Sequence, residues 1–268
     1  MNISNTGKPS IKSFSIKRRL VTITEGELVM YDRLYPGNDL PLLLQPRGEE
    51  IDPIAWASTN KEFINRLLMK HGGLLFRGFN IRTADAFERF IRAISEDLLE
   101  YHERSSPRSQ VSGRIYTSTD HPATEEIFLH NENSYQQTLN LKIFFYCMKP
   151  ASSGGETPIA DCRNIYHRIP PEIRQKFIDK KWMYVRNYGD GLGLPWQTVF
   201  QTYDRKVVEQ HCRKNNIKVE WKSGNRLRTR AVLPAVAKHP HTGEMVWFNH
   251  ATFFHITTLD ARLRQTLL

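Results

Sequence analysis

The longest uninterrupted apolar run in this 268-residue chain is six residues, Ile143 to Met148. A membrane-spanning helix needs ~18 or more consecutive apolar residues, so the chain must build its interior from short amphipathic pieces. The run is rich in aromatic residues and closes at Lys149-Pro150, which predicts a short buried strand. Ser152-Ser153-Gly154-Gly155 then predicts a turn, and Glu156 to Ala160 a second strand. Further strands are expected at Leu20 to Thr24, Gly73 to Phe79, Val232 to Lys238 and Met245 to Phe248, the last two flanking the turn His241-Thr242-Gly243. Helices are expected at Ile54 to His71, stopped by Gly72-Gly73, and after Thr83, where Phe87, Phe90, Ile91 and Ile94 form one apolar stripe. Others follow Pro170-Pro171 (Glu172 to Lys180), span Asp204 to Asn215, and begin at Asp260. Short strands interrupted by helices predict an α+β, mainly β architecture, a barrel or sandwich with helical insertions. No repeat, low-complexity tract or linker divides the chain, so one domain over residues 1–268 is expected.

Composition narrows the class of function. Three cysteines, Cys147, Cys162 and Cys212, show no paired spacing, and the N-terminus lacks an apolar leader. A reduced, cytoplasmic setting is therefore expected, with Cys147 a buried small hydrophobe inside its strand. Lys17-Arg18-Arg19 is too small a cluster to read as a targeting signal. The net charge of +10 concentrates between Asp204 and Arg230. No zinc-finger spacing, aromatic RNA-binding strand or helix-turn-helix accompanies that charge. A solvated face, or a rim attracting an anionic substrate or partner, explains it better than nucleic-acid recognition.

The segment that carries chemistry is Ile127 to Tyr135, containing His130-Asn131-Glu132. On extended backbone, residues two apart point to the same side. One imidazole and one carboxylate would supply two corners of the 2-His-1-carboxylate arrangement that leaves iron positions open. Spacing alone is weak, because ten histidines and about one acidic residue in ten give about one His-x-Asp/Glu by chance. On that ground a surface pair beside a turn would be the simpler reading. His239-Pro240-His241 reads as a solvated hairpin tip. The Gly-rich stretch Asn187 to Gly193 lacks the setting and lysine of a phosphate loop.

The order of motifs outweighs spacing. GLLFRGF, FLHNENSY, KIFFYCMKPASSGGETPIAD and HPHTGEMVWFN, taken together, resemble the TauD/TfdA group of Fe(II)- and 2-oxoglutarate-dependent dioxygenases over about residues 70 to 260. The likeness is to clavaminate synthase-like members, and within them to the branch of syringomycin-type amino-acid hydroxylases. The resemblance implies a double-stranded β-helix, or jelly roll. It implies iron bound by His130 and Glu132, and 2-oxoglutarate contacted by the Thr157 hydroxyl. Trp247, Phe248 and Asn249 match a family segment near the cavity, while Tyr188 and Trp196 fall where relatives shape substrate access. The implied substrate is an amino acid or related small metabolite in a biosynthetic pathway, free or tethered to a carrier protein.

One part of the pattern does not match. The family has a second ligand His and an Arg for the distal 2-oxoglutarate carboxylate about ten residues apart. His250 to Arg262 is a separation of twelve and His255 to Arg264 of nine, but Leu259 to Leu268 reads as a helix rather than a strand. The expectation is that the last strands, with that His and Arg, lie beyond Leu268. A non-catalytic remnant or binding protein retaining the fold is the alternative function.

Overall fold

The structure is a computed structural model and describes residues 28–48, 51–95, 97–99, 108–118, 127–189, 194–259, 261 and 264–265. The expected strand Leu20 to Thr24 and the basic cluster Lys17 to Arg19 lie outside the described residues, as do Asp260 and Arg262. Two antiparallel strands open the described chain, β1 (Val29–Tyr35) and β2 (Asn38–Pro46). Helices α1 (Pro53–Thr59) and α2 (Lys61–His71) lead to β3 (Leu74–Phe76), which adds to β2 in parallel. The single helix expected over Ile54 to His71 is thus two. Thr59 Oγ1 donates to the Ala55 carbonyl and Asn60 Nδ2 to the Trp56 carbonyl, so side chains terminate the first helix where the ladder would have continued. Gly72 ends α2 at φ +78°, a left-handed cap that suits glycine.

Helix α3 (Ala84–Ile94) follows its expected pattern. Thr83 Oγ1 accepts from Ala86 N at 3.1 Å, and Phe87, Phe90, Ile91 and Ile94 are all buried. They meet Leu42, Leu44, Trp56, Phe63, Ile64 and Phe79 in the first core cluster. Edge-to-face contacts of Phe76 with Phe90 (5.2 Å) and Phe79 (5.5 Å) organise it. A small hairpin, β4 (Gln110–Ser112) and β5 (Ile115–Tyr116), lies on α3, where the Glu88 carboxylate reaches Gly113.

The expected strand Ile143 to Met148 carries no ladder among the described residues. Its side chains still alternate. Phe144 and Tyr146 pack on the first core, with Tyr146 stacked on Phe87 at 5.1 Å, while Ile143, Phe145 and Met148 face outward. Cys147 is exposed, not buried as expected, because it occupies an outward position of that alternation. Glu156 to Ala160 likewise forms no ladder and is exposed.

The second half follows the sequence more closely. Helix α4 (Cys162–Arg168) is capped by Asp161, and α5 (Pro171–Lys180) starts on a proline. Strand β6 (Trp182–Tyr188) precedes α6 (Trp196–Phe200), α7 (Arg205–Lys214), β7 (Lys218–Lys222) and β8 (Arg226–Leu233). These strands form an antiparallel sheet in the order β6-β8-β7. Pro234 breaks the strand expected over Val232 to Lys238, leaving β9 (Val236–Lys238) to pair with β10 (Met245–Trp247). Between them His239 Nδ1 accepts from the amides of His241 and Thr242, so the tip is ordered by its own bonds. Arg163 ties these parts together, bonding Asp161 (2.8 Å), the Met69 carbonyl and Glu244 (both 3.3 Å).

Much of the basic segment lies on the outer face of the β6-β8-β7 sheet. Arg228 bonds Asn187, Arg230 pairs with Glu220, and Arg205 of α7 lies over the Trp221 ring. Small sheets with helices packed beside them agree with a mixed α+β class. Among the described residues no helix is long and apolar enough to cross a membrane.

Phe90→Ala is expected to lower unfolding free energy by about 3–5 kcal/mol, the usual cost of an emptied aromatic site. Chemical denaturation followed by circular dichroism checks this.

Candidate metal centre

The segment 127–131 forms no helix and is not a strand of any sheet. It runs into a turn over 132–135, where Asn133 adopts φ +57° and Ser134 N bonds the Asn131 carbonyl at 3.2 Å. Asparagine tolerates that left-handed conformation better than most residues. Tyr135 then anchors the turn on the inner face of β6 and β8, buried with Trp182, Ala231, Leu233 and Ala235. The other anchor is Asn131. Its Oδ1 accepts from Asn249 N at 3.2 Å and its Nδ2 donates to Cys162 Sγ at 3.1 Å. Asn249 in turn donates through Nδ2 to the Ala235 carbonyl at 2.8 Å and accepts from Ala251 N.

This support brings His130 Nε2 to 3.4 Å from Glu132 Oε2. The His130 Nδ1 lies 2.8 Å from the Phe128 carbonyl. A carbonyl only accepts, so Nδ1 carries the hydrogen and the lone pair of the neutral ring sits on Nε2. Both atoms facing the 3.4 Å gap are then electron-pair donors. The hydrogen bond to Glu132 raises the His130 pKa against the opposing effect of burial. Burial would push the Glu132 carboxyl up, but the His130 hydrogen bond and the charges of Arg108 and His130 hold it below the ordinary range.

Two further residues complete the surroundings. Arg108 Nη2 donates to Glu132 Oε1 at 3.0 Å, with both side chains about one-fifth exposed. His250 is buried, with its ring centroid 5.5 Å from that of His130 and its Nδ1 in contact with Ser134 Oγ. Stacked on Phe254 and edge-on to Tyr135 and Phe253, its imidazole is pushed down to about 4 by burial and by His130. It is a neutral ring at ordinary pH. Among the described residues no group of three or more His, Cys, Asp or Glu is placed to hold a metal ion. His130 and Glu132 fit two corners of an iron site by donor type, tautomer and orientation.

The other expected positions lie apart. Thr157 is exposed in the extended segment following Gly155, and no hydrogen bond among the described residues links it to the His130–Glu132 pair. Tyr188 and Trp196 are buried in the second core cluster with Val199, Val208, Cys212 and Leu227. There the Trp196 indole N–H donates to the Asn225 carbonyl at 3.0 Å, and Tyr188 sits 3.5 Å from Thr229 Oγ1. Trp247 packs edge-on to Phe177, while Asn249 is the buried anchor described above. His255 bonds Thr257, and Arg264 reaches the Leu259 carbonyl. Sequence reasoning missed Arg108 and Ser134. Neither has a local pattern to betray it, since their contacts span 24 and 116 residues.

A metal entering the gap must displace the His130 proton. Divalent-metal affinity is therefore expected to be undiminished above the raised His130 pKa. Below it, affinity should fall by about tenfold per pH unit, as one bound proton competes with one metal. Isothermal titration of Co(II) in two buffers of different ionisation enthalpy, across pH 6 to 8, measures both the slope and the released proton.

The sequence comparisons identify the family. The profile described as "Taurine catabolism dioxygenase TauD, TfdA family" matches residues 39–267. The dapdiamide synthesis protein DdaC of Enterobacter agglomerans is 41% identical over 205 residues, covering 76% of this chain and 62% of the relative. A clavaminate synthase-like protein of Arabidopsis thaliana is 32% identical over 234 residues, covering 80% of this chain and 71% of the relative. The chain thus spans less than two thirds of the first relative's length. With most of its length matched by the family profile and its paired His and Glu facing one point, the chain belongs to the TauD/TfdA family.

Proposed function

We propose that this chain carries the iron-binding part of an Fe(II)/2-oxoglutarate-dependent dioxygenase that hydroxylates an amino acid or related small metabolite in a biosynthetic pathway. The observation that carries the reading is the convergence of His130 Nε2 and Glu132 Oε2, with the other imidazole nitrogen committed to the Phe128 carbonyl. Family membership supports the cofactor pair, and the relative named for dapdiamide synthesis supports the biosynthetic setting. The fold proposed for the complete arrangement is the double-stranded β-helix of the family.

Iron(II) with 2-oxoglutarate and dioxygen supplies the oxidising power: substrate R–H, oxygen and 2-oxoglutarate become R–OH, succinate and carbon dioxide. The protein's part is positional. His130 and Glu132 would hold the metal through Nε2 and Oε2. The His130 Nδ1–H bond to Phe128 fixes the ring's tautomer. Tyr135, Phe253 and Phe254 line the same region with aromatic surface. Thr157 is proposed to meet the 2-oxoglutarate carboxylate. The outer basic face of the β6-β8-β7 sheet would suit an acidic partner, such as a carrier protein presenting the amino acid.

A second reading, a binding protein that keeps the fold without turnover, draws on the two-residue character of the site among the described residues. One titration separates the two. Fe(II) added anaerobically with 2-oxoglutarate is expected to give a visible metal-to-ligand charge-transfer band in the folded protein and none in His130→Ala. On admitting oxygen, succinate should form. Absence of the band from folded wild-type protein would contradict the proposal, and a band without succinate would favour the binding protein.

A further inference from the structure

The two oxygens of Glu132 have different partners. Oε1 takes a hydrogen bond from Arg108 Nη2 at 3.0 Å, while Oε2 faces His130 Nε2 at 3.4 Å. Arg108 comes from the segment just before β4, far from Glu132 in sequence, and its guanidinium is only about one-fifth exposed. That segment is fixed by two bonds of its own, Ser109 N to Thr117 Oγ1 (3.0 Å) and Thr117 N to the Ser109 carbonyl (2.9 Å). Glu132 is held as firmly, because the turn at 132–135 is pinned by Asn131 and Tyr135. The ion pair thus joins two braced backbones rather than two free surface side chains, for which it would contribute little.

A carboxylate beside a divalent cation can bind through one oxygen or both. The geometry points to Arg108 as a positioning residue that reserves Oε1 for itself and so makes Glu132 a one-oxygen ligand through Oε2. The inference rests on the reading of His130 and Glu132 as metal ligands. Its consequence is functional. A carboxylate that chelated through both oxygens would take an additional coordination position, and the proposed chemistry needs those positions for cosubstrate and oxygen. Arg108 keeps that position free. Lysine cannot substitute fully, since its ammonium lacks the planar guanidinium whose Nη2 is directed at Oε1.

Arg108 also has an opposing effect, because its charge repels a metal cation nearby. Affinity and ligation mode must therefore be read together. The experiment loads wild type, Arg108→Met and Arg108→Lys with Co(II), after circular dichroism has shown each to be folded. It records the dissociation constant and the infrared difference spectrum of the carboxylate stretches, metal-bound minus metal-free, with His130→Ala as the control without a site. Wild type is expected to show the wide antisymmetric–symmetric splitting of one-oxygen ligation. In Arg108→Met the splitting narrows, because Oε1 is released to bind beside Oε2. Arg108→Lys, which keeps the charge and loses the fork, falls between. An unchanged splitting in Arg108→Met overturns the inference and leaves the metal site standing. Tighter binding in Arg108→Met with the splitting unchanged is the mark of relieved repulsion alone and likewise overturns it. Failure of folded wild type to bind Co(II) more strongly than His130→Ala removes the metal site, and the inference with it.

Discussion

The buried side chain of Asn249 holds together the parts from which the site is made. Its Nδ2 hydrogen goes to the Ala235 carbonyl, its Oδ1 takes the Ala251 amide, and its own amide goes to Asn131. An amide buried without partners would cost several kilocalories, so the bonds act as a constraint, favouring the one arrangement that satisfies them. That arrangement sets the residue between His130 and Glu132 against the segment following β10, and places His250 beside them. Asn131 extends the link to α4 through Cys162, whose thiol burial keeps protonated. Because the interaction is polar and directional, it fixes position in a way that apolar packing of the same area would not.

Electrostatics then decides what the site does. His130 and Glu132 share a contact that raises the imidazole's pKa and lowers the carboxyl's, and both face the point that a divalent cation would occupy. His250 behaves differently although its ring lies close by. Buried among aromatic rings and repelled by His130, it remains neutral, with Ser134 on its Nδ1. Their surroundings thus shift two neighbouring histidines in opposite directions, a separation that environment alone produces. A neutral His250 adds no second positive charge to compete with a metal.

The sequence revealed elements governed by local rules. Helix α3 has an apolar stripe and a threonine cap, α5 a proline start, and α7 an aspartate cap, and all three form where their residues indicate. Strands were less legible, because membership of a ladder depends on distant partners. The segment from Ile143 to Met148 shows the alternating burial of a strand and no pairing, so its period was readable and its hydrogen bonds were not. At the site, His130 and Glu132 still meet although residues 127–131 join no sheet and lead into a turn. What could not be read is the company they keep. Arg108 and Ser134 reach the pair across tertiary contacts that leave no periodicity in the chain, and Tyr188 and Trp196, placed near the entrance by resemblance, are core residues.

The central claim is that His130 and Glu132 meet on one divalent cation. Crystals grown anaerobically with Mn(II) and 2-oxoglutarate, measured for anomalous scattering, test it most directly. The account predicts an anomalous peak within coordination distance of His130 Nε2 and Glu132 Oε2, with Phe128 still accepting from Nδ1. A peak elsewhere, such as between His239 and His241, or none at the pair in crystals of folded protein, would contradict it.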